Sequence, residues 1–595
     1  MDAPIAPPFL DVECSLSGKR WRLRAGDERL GLAISQRLDV PEIVGRVMAG
    51  RGVSLEQAEQ YLTPQLRHLL PDPSSFRDMD RAAERITAAI REGEKIAIFG
   101  DYDVDGATSS GLLKRFFNAI GISSEIYIPD RMKEGYGPNA EAMEILKKRG
   151  ADLVVTVDCG IVSFDALGHA KDIGLDVIVI DHHQAETRLP DAVAIVNPKR
   201  HDESQKFTYL AAVGVVFLLV VALNRSLRQA GWYNDQRREP DPRHWLDLVA
   251  LGTVCDVVPL VGLNRAFVAQ GLKVMARRGN PGLAALADVA GLDEAPGTYH
   301  TGFLLGPRVN AGGRVGRSEY GPELLSLDNP DKCRELAAQL DRYNQERKEI
   351  EAEVQHAAMA RVEESSLKDD KVIVVAGEGW HPGVIGIVAS RLKDTYQRPA
   401  VVIALDGDVG KASARSVPGV DLGAAVGAAR HKEIIVAGGG HLMAAGLTVD
   451  RLKIDALRAF LNERLAKDVS EASKTASLGL DGALAIDGAT PELIDLMDQA
   501  GPFGAGNPEP RFVLSNVRLV QASIVGDSHV RVILTGPGNR GRLAGISFRS
   551  LDTPLGDALL GHNGASFHIA GHLRKNSWRG NITAQLLIED AYRLT

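Results

Sequence analysis

Short, continuously apolar strands alternate with amphipathic helices along residues 80–181. The apolar runs are KIAIFG (95–100), EIYIP (125–129), DLVVTVD (152–158) and DVIVID (176–181). Helical patterns lie between them, including 107–119 and 139–149. Strands that are apolar throughout, rather than at alternate positions, are typical of strands buried on both faces. The pattern therefore predicts an α/β fold with a parallel sheet and helices on both sides.

The rest of the chain shows four further patterns. Residues 1–75 read as a helical N-terminal segment, in which Ser54 and Gln57 have capping-box spacing. Residues 208–290 are helical, and a charged helix over 331–367 predicts a connector between two domains. A second α/β unit begins at KVIVVAG (371–377), and after a polar, linker-like stretch (468–479) short strands with Gly, Asn and Pro turns predict a small β-barrel. We expect the domains to be 1–75, 76–330, 331–367, 368–467 and 480–595.

Composition adds limits on compartment and partner. The 595 residues include four cysteines without CxxC spacing, which favours a reducing compartment. The N-terminus lacks a signal-peptide pattern, and the longest apolar run, 210–223, is shorter than the roughly 20 residues that span a bilayer. We therefore expect a cytoplasmic protein with no membrane partner. The net charge of −8 argues against nucleic acid, but residues 501–595 carry about +4 and the first 500 about −12.

Acidic and imidazole side chains follow the ends of the predicted strands. Because ligands bind beyond the carboxyl ends of parallel strands, we expect these side chains to converge on one edge of the sheet. Converging carboxylates repel one another unless a cation neutralises them, and an oxygen-rich set with some imidazole suits Mn²⁺ or Mg²⁺. Two such ions about 3.5–4 Å apart are the arrangement that cleaves phosphoesters. The side chains are Asp101, Asp103, Asp105, Asp158, Asp181, His182 and His183, and Asp256 follows a helix that could fold back over this edge.

Each of these residues also has an ordinary structural interpretation. An aspartate at a strand end usually caps a turn or a helix, and a pair of histidines is more often solvated than ligating. DYDVDG also resembles a calcium loop, but Leu112 stands where such a loop has its twelfth-position glutamate. The coincidence of three strand ends favours the metal site over these alternatives.

The motifs resemble a known family. GDYDVDG (100–106), VDCG (157–160), DHH (181–183) and GTVCDVVPL (252–260) resemble motifs I to IV of the DHH phosphoesterases. Six downstream stretches are similar to the RecJ exonucleases of that superfamily, and the resemblance extends from about Trp21 to near the end of the chain. These are RMKEGYG (131–137), GPRVNAGGR (306–314), GWHPGVIGIVASR (379–391), ASARS (412–416), GGGHLMAAG (438–446) and GPFGAGNPEP (501–510).

The resemblance implies a fold and a set of metal ligands. The fold is a parallel-sheet DHH domain, a long connecting helix, a second α/β domain called DHHA1 and a C-terminal OB-fold. Within the catalytic set, Asp101 is implied to support the ligands from behind or to orient water, and Phe99 stands where many DHH phosphoesterases have a histidine. The implied ligands of two Mn²⁺ or Mg²⁺ ions are Asp103, Asp105, Asp158, His182, His183 and Asp256.

The resemblance also implies how substrate is held. RecJ-like proteins would place a group of polar and basic side chains around the 5′-terminal phosphate: Arg131, Asn310, Arg314, Ser413 and Arg415. Arginine suits this role because its planar fork grips phosphate in a bidentate manner. In GGGHLMAAG the glycines and His441 suit a helix start facing an anion, as part of the substrate cleft. Trp380, His381 and Arg391 are further candidate cleft residues, and the basic C-terminal barrel with its interleaved aromatic residues suits single-strand binding.

The function implied is that of a single-stranded-DNA-specific 5′→3′ exonuclease that releases 5′-mononucleotides in DNA recombination and repair. It would be a monomer that works with a helicase and a single-strand-binding protein, and a cleft between its two α/β domains would be too narrow for duplex. One alternative is a small-substrate DHH phosphodiesterase that acts on nanoRNA or a cyclic dinucleotide, although such proteins generally lack the N-terminal segment and the OB-like tail. A second alternative is a catalytically inactive DNA-binding scaffold, which would be expected to have lost metal ligands.

Overall fold

The chain folds into two compact units. The computed structural model describes residues 7–24, 26–130, 134–135, 137–364, 366–474, 476–578 and 581–594. One unit comprises Leu66–Ser473, and the other combines Met1–Gln65 with Lys474–Thr595. The N-terminal segment thus belongs to the same unit as the C-terminal domain.

The N-terminal segment is mainly helical. Its elements are β1 (Arg20–Leu23), α1 (Glu28–Leu38), α2 (Glu42–Ala49) and α3 (Ala58–Leu62). The predicted capping box is formed, since the Ser54 N–H donates to Gln57 Oε1 at 3.3 Å and the Gln57 N–H donates to Ser54 Oγ at 3.4 Å.

The first α/β domain has the predicted parallel sheet. Its five strands lie in the order β3-β2-β4-β5-β6, and every neighbouring pair is parallel. β2 and β4 are buried along their whole length, as their apolar sequences require. The elements are α4 (Leu66–Leu69), α5 (Met79–Glu92), β2 (Ile96–Gly100), α6 (Val104–Ala119), β3 (Ser124–Tyr127), α7 (Ala140–Lys148), β4 (Leu153–Val157), α8 (Phe164–Asp172), β5 (Asp176–Ile180) and β6 (Ala194–Val196).

Helices complete this domain and connect it to the next. They are α9 (Ala212–Gln229), α10 (Leu246–Cys255), α11 (Gly262–Ala276), α12 (Pro281–Val289), a π-helix (His300–Leu305), α13 (Gly306–Val315), α14 (Tyr320–Ser326) and the 34-residue α15 (Pro330–Glu363). Among the described residues, α9 alone is long and apolar enough to cross a membrane, but 72% of it is buried inside the protein. It lies in the main hydrophobic core with Phe116 and Phe267, which identifies it as a core helix.

The second α/β domain has a mixed sheet in the order β10-β11-β9-β8-β7. Only β7 and β8 are parallel, and the remaining pairs are antiparallel. Its elements are β7 (Ile373–Glu378), α16 (Ile385–Tyr396), β8 (Ala400–Asp406), β9 (Val409–Arg415), α17 (Leu422–His431), β10 (Ala437–His441), β11 (Ala444–Asp450) and α18 (Ile454–Lys474). The boundary between the two units falls after Ser473, inside the predicted linker at 468–479. This stretch has regular structure, however, because α18 continues to Lys474 and a strand follows from Ser477.

The C-terminal domain is a closed barrel. Its sheet order is β13-β14-β15-β16-β18-β17, and β17 pairs back with β14. The strands are longer than predicted, since β14 has 14 residues and β17 and β18 have 13 each. The elements are β12 (Ser477–Leu480), β13 (Gly482–Leu484), α19 (Pro491–Asp498), β14 (Phe512–Val525), β15 (His529–Thr535), β16 (Leu543–Ser547), α20 (Pro554–Leu560), β17 (Ser566–Trp578) and β18 (Asn581–Arg593).

One strand pairing and the aromatic residues define this unit further. β12 pairs in parallel with β1, so the N-terminal segment and the barrel share a short sheet. Phe512 and Phe567 are fully or almost fully buried in the core, whereas Phe548 is 56% exposed. The aromatic residues of the barrel therefore divide between its interior and its surface.

Candidate metal centre and active site

The register of the parallel sheet brings the strand ends together. Gly100 pairs with Val157, and Val157 pairs with Ile180, so β2, β4 and β5 end at the same level. The residues that follow these strands therefore leave the sheet side by side. Asp158, which follows β4, has a left-handed backbone with φ of +62°, a conformation that aspartate tolerates better than most residues.

Two aspartates of the first motif are held by helix N-termini. Asp103 caps α6, because its Oδ1 accepts the backbone N–H groups of Asp105 at 2.9 Å and of Gly106 at 3.1 Å. Asp105 is fully buried, and its two oxygens accept the N–H groups of Ala212 at 2.7 Å and of Val213 at 2.9 Å. These donors are the first amides of α9, where the helix dipole favours negative charge. The helix-cap interpretation and the ligand interpretation of Asp103 are thus compatible.

His182 lies at the centre of the carboxylates. Its Nδ1 is 3.0 Å from the carbonyl oxygen of Leu210, and this contact assigns the proton to Nδ1. The other ring nitrogen, Nε2, consequently presents its lone pair to three carboxylates. It lies 3.3 Å from Asp158 Oδ1, 3.5 Å from Asp256 Oδ2 and 3.9 Å from Asp105 Oδ2.

His183 is oriented by the aspartate of its own motif. Its Nδ1 lies 2.7 Å from Asp181 Oδ1, which also accepts the backbone N–H of His182 at 2.7 Å and of His183 at 3.0 Å. Asp181 Oδ2 accepts the N–H of Ile161 at 3.0 Å. A carboxylate commonly orients a metal-binding histidine in this way. The same Nδ1 lies 3.9 Å from Oδ1 of the predicted ligand Asp158.

The structure brings together all seven predicted catalytic side chains. They form three overlapping groups in which the potential ligand atoms lie within 4.8 Å of one another. Asp101, which the resemblance places outside the ligand set, is grouped here at ligand distance with two predicted ligands. The groups are Asp158 with His182 and His183, Asp105 with His182 and Asp256, and Asp101 with Asp103 and Asp158.

The electrostatics of this cluster favour a bound cation. Burial, followed by the neighbouring carboxylates, raises the pKa of Asp158 well above its usual range and that of Asp256 to about 9. Burial and the charge of Asp103 raise the pKa of Asp105 to about 7. Burial also lowers the pKa of His182 to about 3, so this imidazole is neutral and its Nε2 can donate a lone pair.

Buried polar atoms without a hydrogen-bond partner also favour a bound cation. Within the described part of the chain, Asp158 Oδ1, His182 Nε2 and Asp256 Oδ2 are buried and have no hydrogen-bond partner. Buried polar atoms are normally paired, and three that converge require an explanation. A divalent ion would accept the lone pairs of these three atoms and would neutralise the charge of the carboxylates, which the neutral imidazole cannot do.

Three of the predicted phosphate contacts converge around the start of α16. Arg314 Nη1 donates to the carbonyl oxygen of Gly383 at 3.0 Å. A Cβ placed on Gly386 would lie 3.0 Å from Ser413 Oγ and 3.1 Å from Arg415 Nη2, so these two side chains lie against the first turn of the helix. The first and second α/β domains thus meet at this point. Arg131 lies outside the described residues.

A cavity of about 460 Å³ extends from this contact between α13, α15 and α16. The predicted substrate contacts Asn310 and Arg314 line it, and so does the candidate cleft residue Arg391. Its lining carries four cationic side chains and one carboxylate, which suits a phosphate backbone. The lining residues are Phe303, Pro307, Asn310, Arg314, Arg347, Lys348, Glu351, Ala352, Gln355, Ile387 and Arg391.

Two expectations about the second domain are wrong. GGGHLMAAG does not start a helix, because β10 and β11 form a hairpin in which His441 pairs with Ala444. His441 is exposed at the end of the edge strand, in the same row across the sheet as Ala444 and Arg415, and its contact with substrate stays a prediction. Trp380 is 8% exposed and packs in the domain core beneath the Arg361 guanidinium, so it is not a cleft residue.

The sequence patterns do not identify the groups that hold the ligands. They mark Asp181 as a strand end and assign it no role, although it orients His183. The Leu210 carbonyl and the first amides of α9 fix His182 and Asp105. The DHH motif itself contains the signal for Asp181, whereas no local pattern marks the α9 contacts.

Comparisons with known proteins identify similar proteins over almost the whole chain. The family profiles that match are the DHH family, N-terminal domain, over residues 95–253, the DHHA1 domain over 369–467 and the RecJ OB domain over 480–590. The single-stranded-DNA-specific exonuclease RecJ of Salmonella typhimurium is 36% identical over 97% of this chain and 99% of its own length. That of Bacillus subtilis is 35% identical over 97% of this chain and 71% of its own length.

Solved structures give the same result. The crystal structure of RecJ from Thermus thermophilus in complex with Mn²⁺ matches with a TM-score of 0.79 and 28% identity. The match covers 97% of this chain and 80% of that one. A crystal structure of exonuclease RecJ bound to manganese matches with a TM-score of 0.57 and 32% identity, over 68% of this chain and 97% of that one.

Proposed function

The chain belongs to the RecJ family of single-stranded-DNA-specific exonucleases, and we propose that it degrades single-stranded DNA from the 5′ end with release of 5′-mononucleotides. It is a metal-dependent phosphodiester hydrolase of DNA recombination and repair. The observation that carries the proposal is the convergence of seven acidic and imidazole side chains, three of which have buried ligand atoms without a hydrogen-bond partner.

We infer that this cluster holds two Mn²⁺ or Mg²⁺ ions. The side chains that would hold them are Asp103, Asp105, Asp158, His182, His183 and Asp256, and Asp101 is close enough to contribute directly. Such ions activate water and stabilise the charge that develops on the phosphate during displacement. The chain itself keeps His182 neutral and holds Asp105 and His183 in fixed orientations, so that the ligand atoms are organised before binding.

The polarity of cleavage follows from a grip on the terminal phosphate. Arg314, Ser413 and Arg415 meet near the first turn of α16, which adds the positive end of a helix dipole. A pocket that accepts a phosphate with a free end would position the first internucleotide bond at the metal cluster. Arg131 belongs to the same proposal on the strength of its motif alone.

The substrate is single-stranded DNA, and a helicase and a single-strand-binding protein are proposed as partners that supply and present it. The basic C-terminal barrel supports strand binding, because it combines a net charge of about +4 with the exposed ring of Phe548. We further propose that the protein acts as a monomer in the cytoplasm.

The test is a cleavage assay on the purified chain with Mn²⁺. A 3′-labelled single strand with a 5′-phosphate should lose mononucleotides from its 5′ end, while blunt duplex should persist. The same strand with a 5′-hydroxyl should be degraded more slowly. Release of label as the first product, or equal rates on duplex, would contradict the proposed polarity or strand specificity.

The same assay addresses the two alternatives. A small-substrate phosphodiesterase would cleave short oligonucleotides but not long strands, and it would have no use for the OB domain that matches at residues 480–590. An inactive scaffold would bind the strand without cleaving it. The filled ligand positions weigh against this second alternative.

A further inference from the structure

Two aromatic rings lie exposed beside the candidate substrate cavity. Tyr299 is 53% exposed and Phe303 is 71% exposed. Their ring centroids are 5.4 Å apart and their planes differ by 26°, so the rings stack on one another at the surface. Burial of an aromatic ring is strongly favourable, and a stacked pair left in solvent is therefore a candidate contact surface.

Phe303 lies in the π-helix and Tyr299 directly precedes it, and this rare helical form often occurs at functional sites. Its widened turn is set by the Gly306 N–H, which donates to the carbonyl oxygen of Thr301. Cys255 Sγ lies 3.4 Å from the same oxygen, and a Cβ on Gly306 would come within 2.4 Å of that sulfur. The π-helix is thus packed against the end of α10, next to the predicted ligand Asp256.

The π-helix continues into α13, and one face of the combined helix lines the cavity. The spacing from Phe303 to Pro307, Asn310 and Arg314 is four, three and four residues, which keeps all four on one side of the helix. At 1.5 Å per residue, Phe303 lies about 16 Å along the helix from Arg314. The face therefore begins at the proposed phosphate contact and ends at an exposed aromatic ring.

We propose that Tyr299 and Phe303 form a base-stacking platform for the single strand behind its 5′ end. The inference rests on the proposed function, since it assigns the strand a path from the phosphate contact outwards. Stacking on aromatic rings tolerates any base, as an exonuclease requires, and the cationic cavity lining supplies the matching contact to the phosphates. At about 3.4 Å per nucleotide for a stacked strand, this distance corresponds to about the fifth base, and a more extended strand brings an earlier base, from about the second onwards, to the platform.

The test compares substitutions of Phe303 by the kcat/KM for a 5′-phosphorylated strand of about 20 nucleotides with Mn²⁺. Phe303→Ala and Phe303→Leu should each lower kcat/KM by about 5- to 150-fold, because both remove the ring. Phe303→Trp should retain it, because a larger ring still stacks. Leu452→Ala is the matched control, since Leu452 is 91% exposed in the same unit and does not line the cavity.

An abasic scan of the strand identifies the contact itself. One abasic position among the second to fifth nucleotides should abolish the difference between wild type and Phe303→Ala, because the partner of the ring is then missing. The platform would be overturned if Phe303→Ala had the wild-type kcat/KM on every strand. It would also be overturned if Phe303→Leu had the wild-type kcat/KM. If the wild-type chain failed to cleave, the proposed function would be wrong. The platform could still be tested by the fluorescence anisotropy of the same labelled strand in EDTA, where Phe303→Ala should bind more weakly than wild type.

Discussion

His183 Nδ1 lies 2.7 Å from Asp181 Oδ1, so the aspartate of the DHH motif anchors its last histidine. Burial alone would raise the pKa of Asp181, but the hydrogen bond and charge of His183 hold it well below its usual range. Burial alone would lower the pKa of His183, yet its bond to Asp181 and the nearby carboxylates raise it to about 9. A metal ion that binds this ring would therefore displace the proton that the raised pKa keeps on it near neutral pH.

Asp181→Asn should weaken binding of Mn²⁺ by roughly 10- to 100-fold, the usual cost of losing a group that orients a ligand. The amide keeps the size of the side chain but cannot accept all of the hydrogen bonds that the carboxylate accepts. Calorimetric titration with Mn²⁺ and the Mn²⁺ dependence of cleavage would measure the change. Asp176→Asn is a suitable control, because Asp176 begins the same strand at the opposite end and bonds to Arg85. Equal Mn²⁺ affinity in the two variants would contradict the anchoring role.

Asp158→Asn should abolish cleavage and yet stabilise the metal-free protein. The pKa of Asp158 is raised by burial and by neighbouring carboxylates, which means that its ionised form is unfavourable in the folded state without a cation. Cleavage should fall by more than about 100-fold, beyond the cost of losing an orienting group. The thermal midpoint in EDTA should rise above that of wild type, and added Mn²⁺ should raise it less than in wild type. A lower midpoint in EDTA would show that Asp158 has a structural role instead.

The sheet edge could be predicted from sequence because each step was local. A continuously apolar run predicts a buried parallel strand, and the acidic residue after it marks the strand end, as at Asp101 and Asp158. Parallel pairing then aligns the ends without further information. The same reasoning could not predict the groups that hold the ligands in place. The amides of Ala212 and Val213, which donate to Asp105, lie more than 100 residues from it in the sequence. Such contacts depend on how α9 packs.

Packing also explains the errors in the second domain. The stretch 468–479 is polar and small, yet Val469 is 4% exposed in the domain core, and its burial extends α18 into the predicted linker as far as Lys474. The three glycines of GGGHLMAAG carry no side-chain pattern to choose between a helix start and a hairpin. Pairing with β11 provides backbone hydrogen bonds for Gly438–Gly440 and decides the outcome.

Arg415→Ala should reduce the preference for a 5′-phosphate. We expect the ratio of kcat/KM between 5′-phosphorylated and 5′-hydroxyl strands to fall by roughly tenfold or more, since a charge-assisted contact is worth about 1.5–3 kcal/mol. Arg415→Lys should recover only part of the ratio, because the ammonium lacks the bidentate fork. Arg317→Ala is the control, as Arg317 is exposed near α13 and paired with Glu319. An unchanged ratio in Arg415→Ala would remove this residue from the phosphate contact.

Gly252→Ala should damage the metal centre through the packing of α10. A Cβ on Gly252 would lie 2.3 Å from Thr108 Oγ1, 2.8 Å from Val213 Cγ1 and 3.0 Å from Asp105 Oδ1. α10 must therefore move away from α6 and α9, which shifts Asp105 relative to Asp256 at the end of α10.

Overpacking of this kind costs about 1–3 kcal/mol of stability. A displacement near 1 Å can lower activity about 100-fold. The urea midpoint and kcat/KM on the single strand should both fall. Gly168→Ala in α8 is the matched control, because a Cβ there meets no atom within 4 Å. It should stabilise the helix by about 0.5–1 kcal/mol and leave cleavage unchanged. Full activity in Gly252→Ala would mean that the ligands tolerate a moved helix and that their organisation does not depend on this contact.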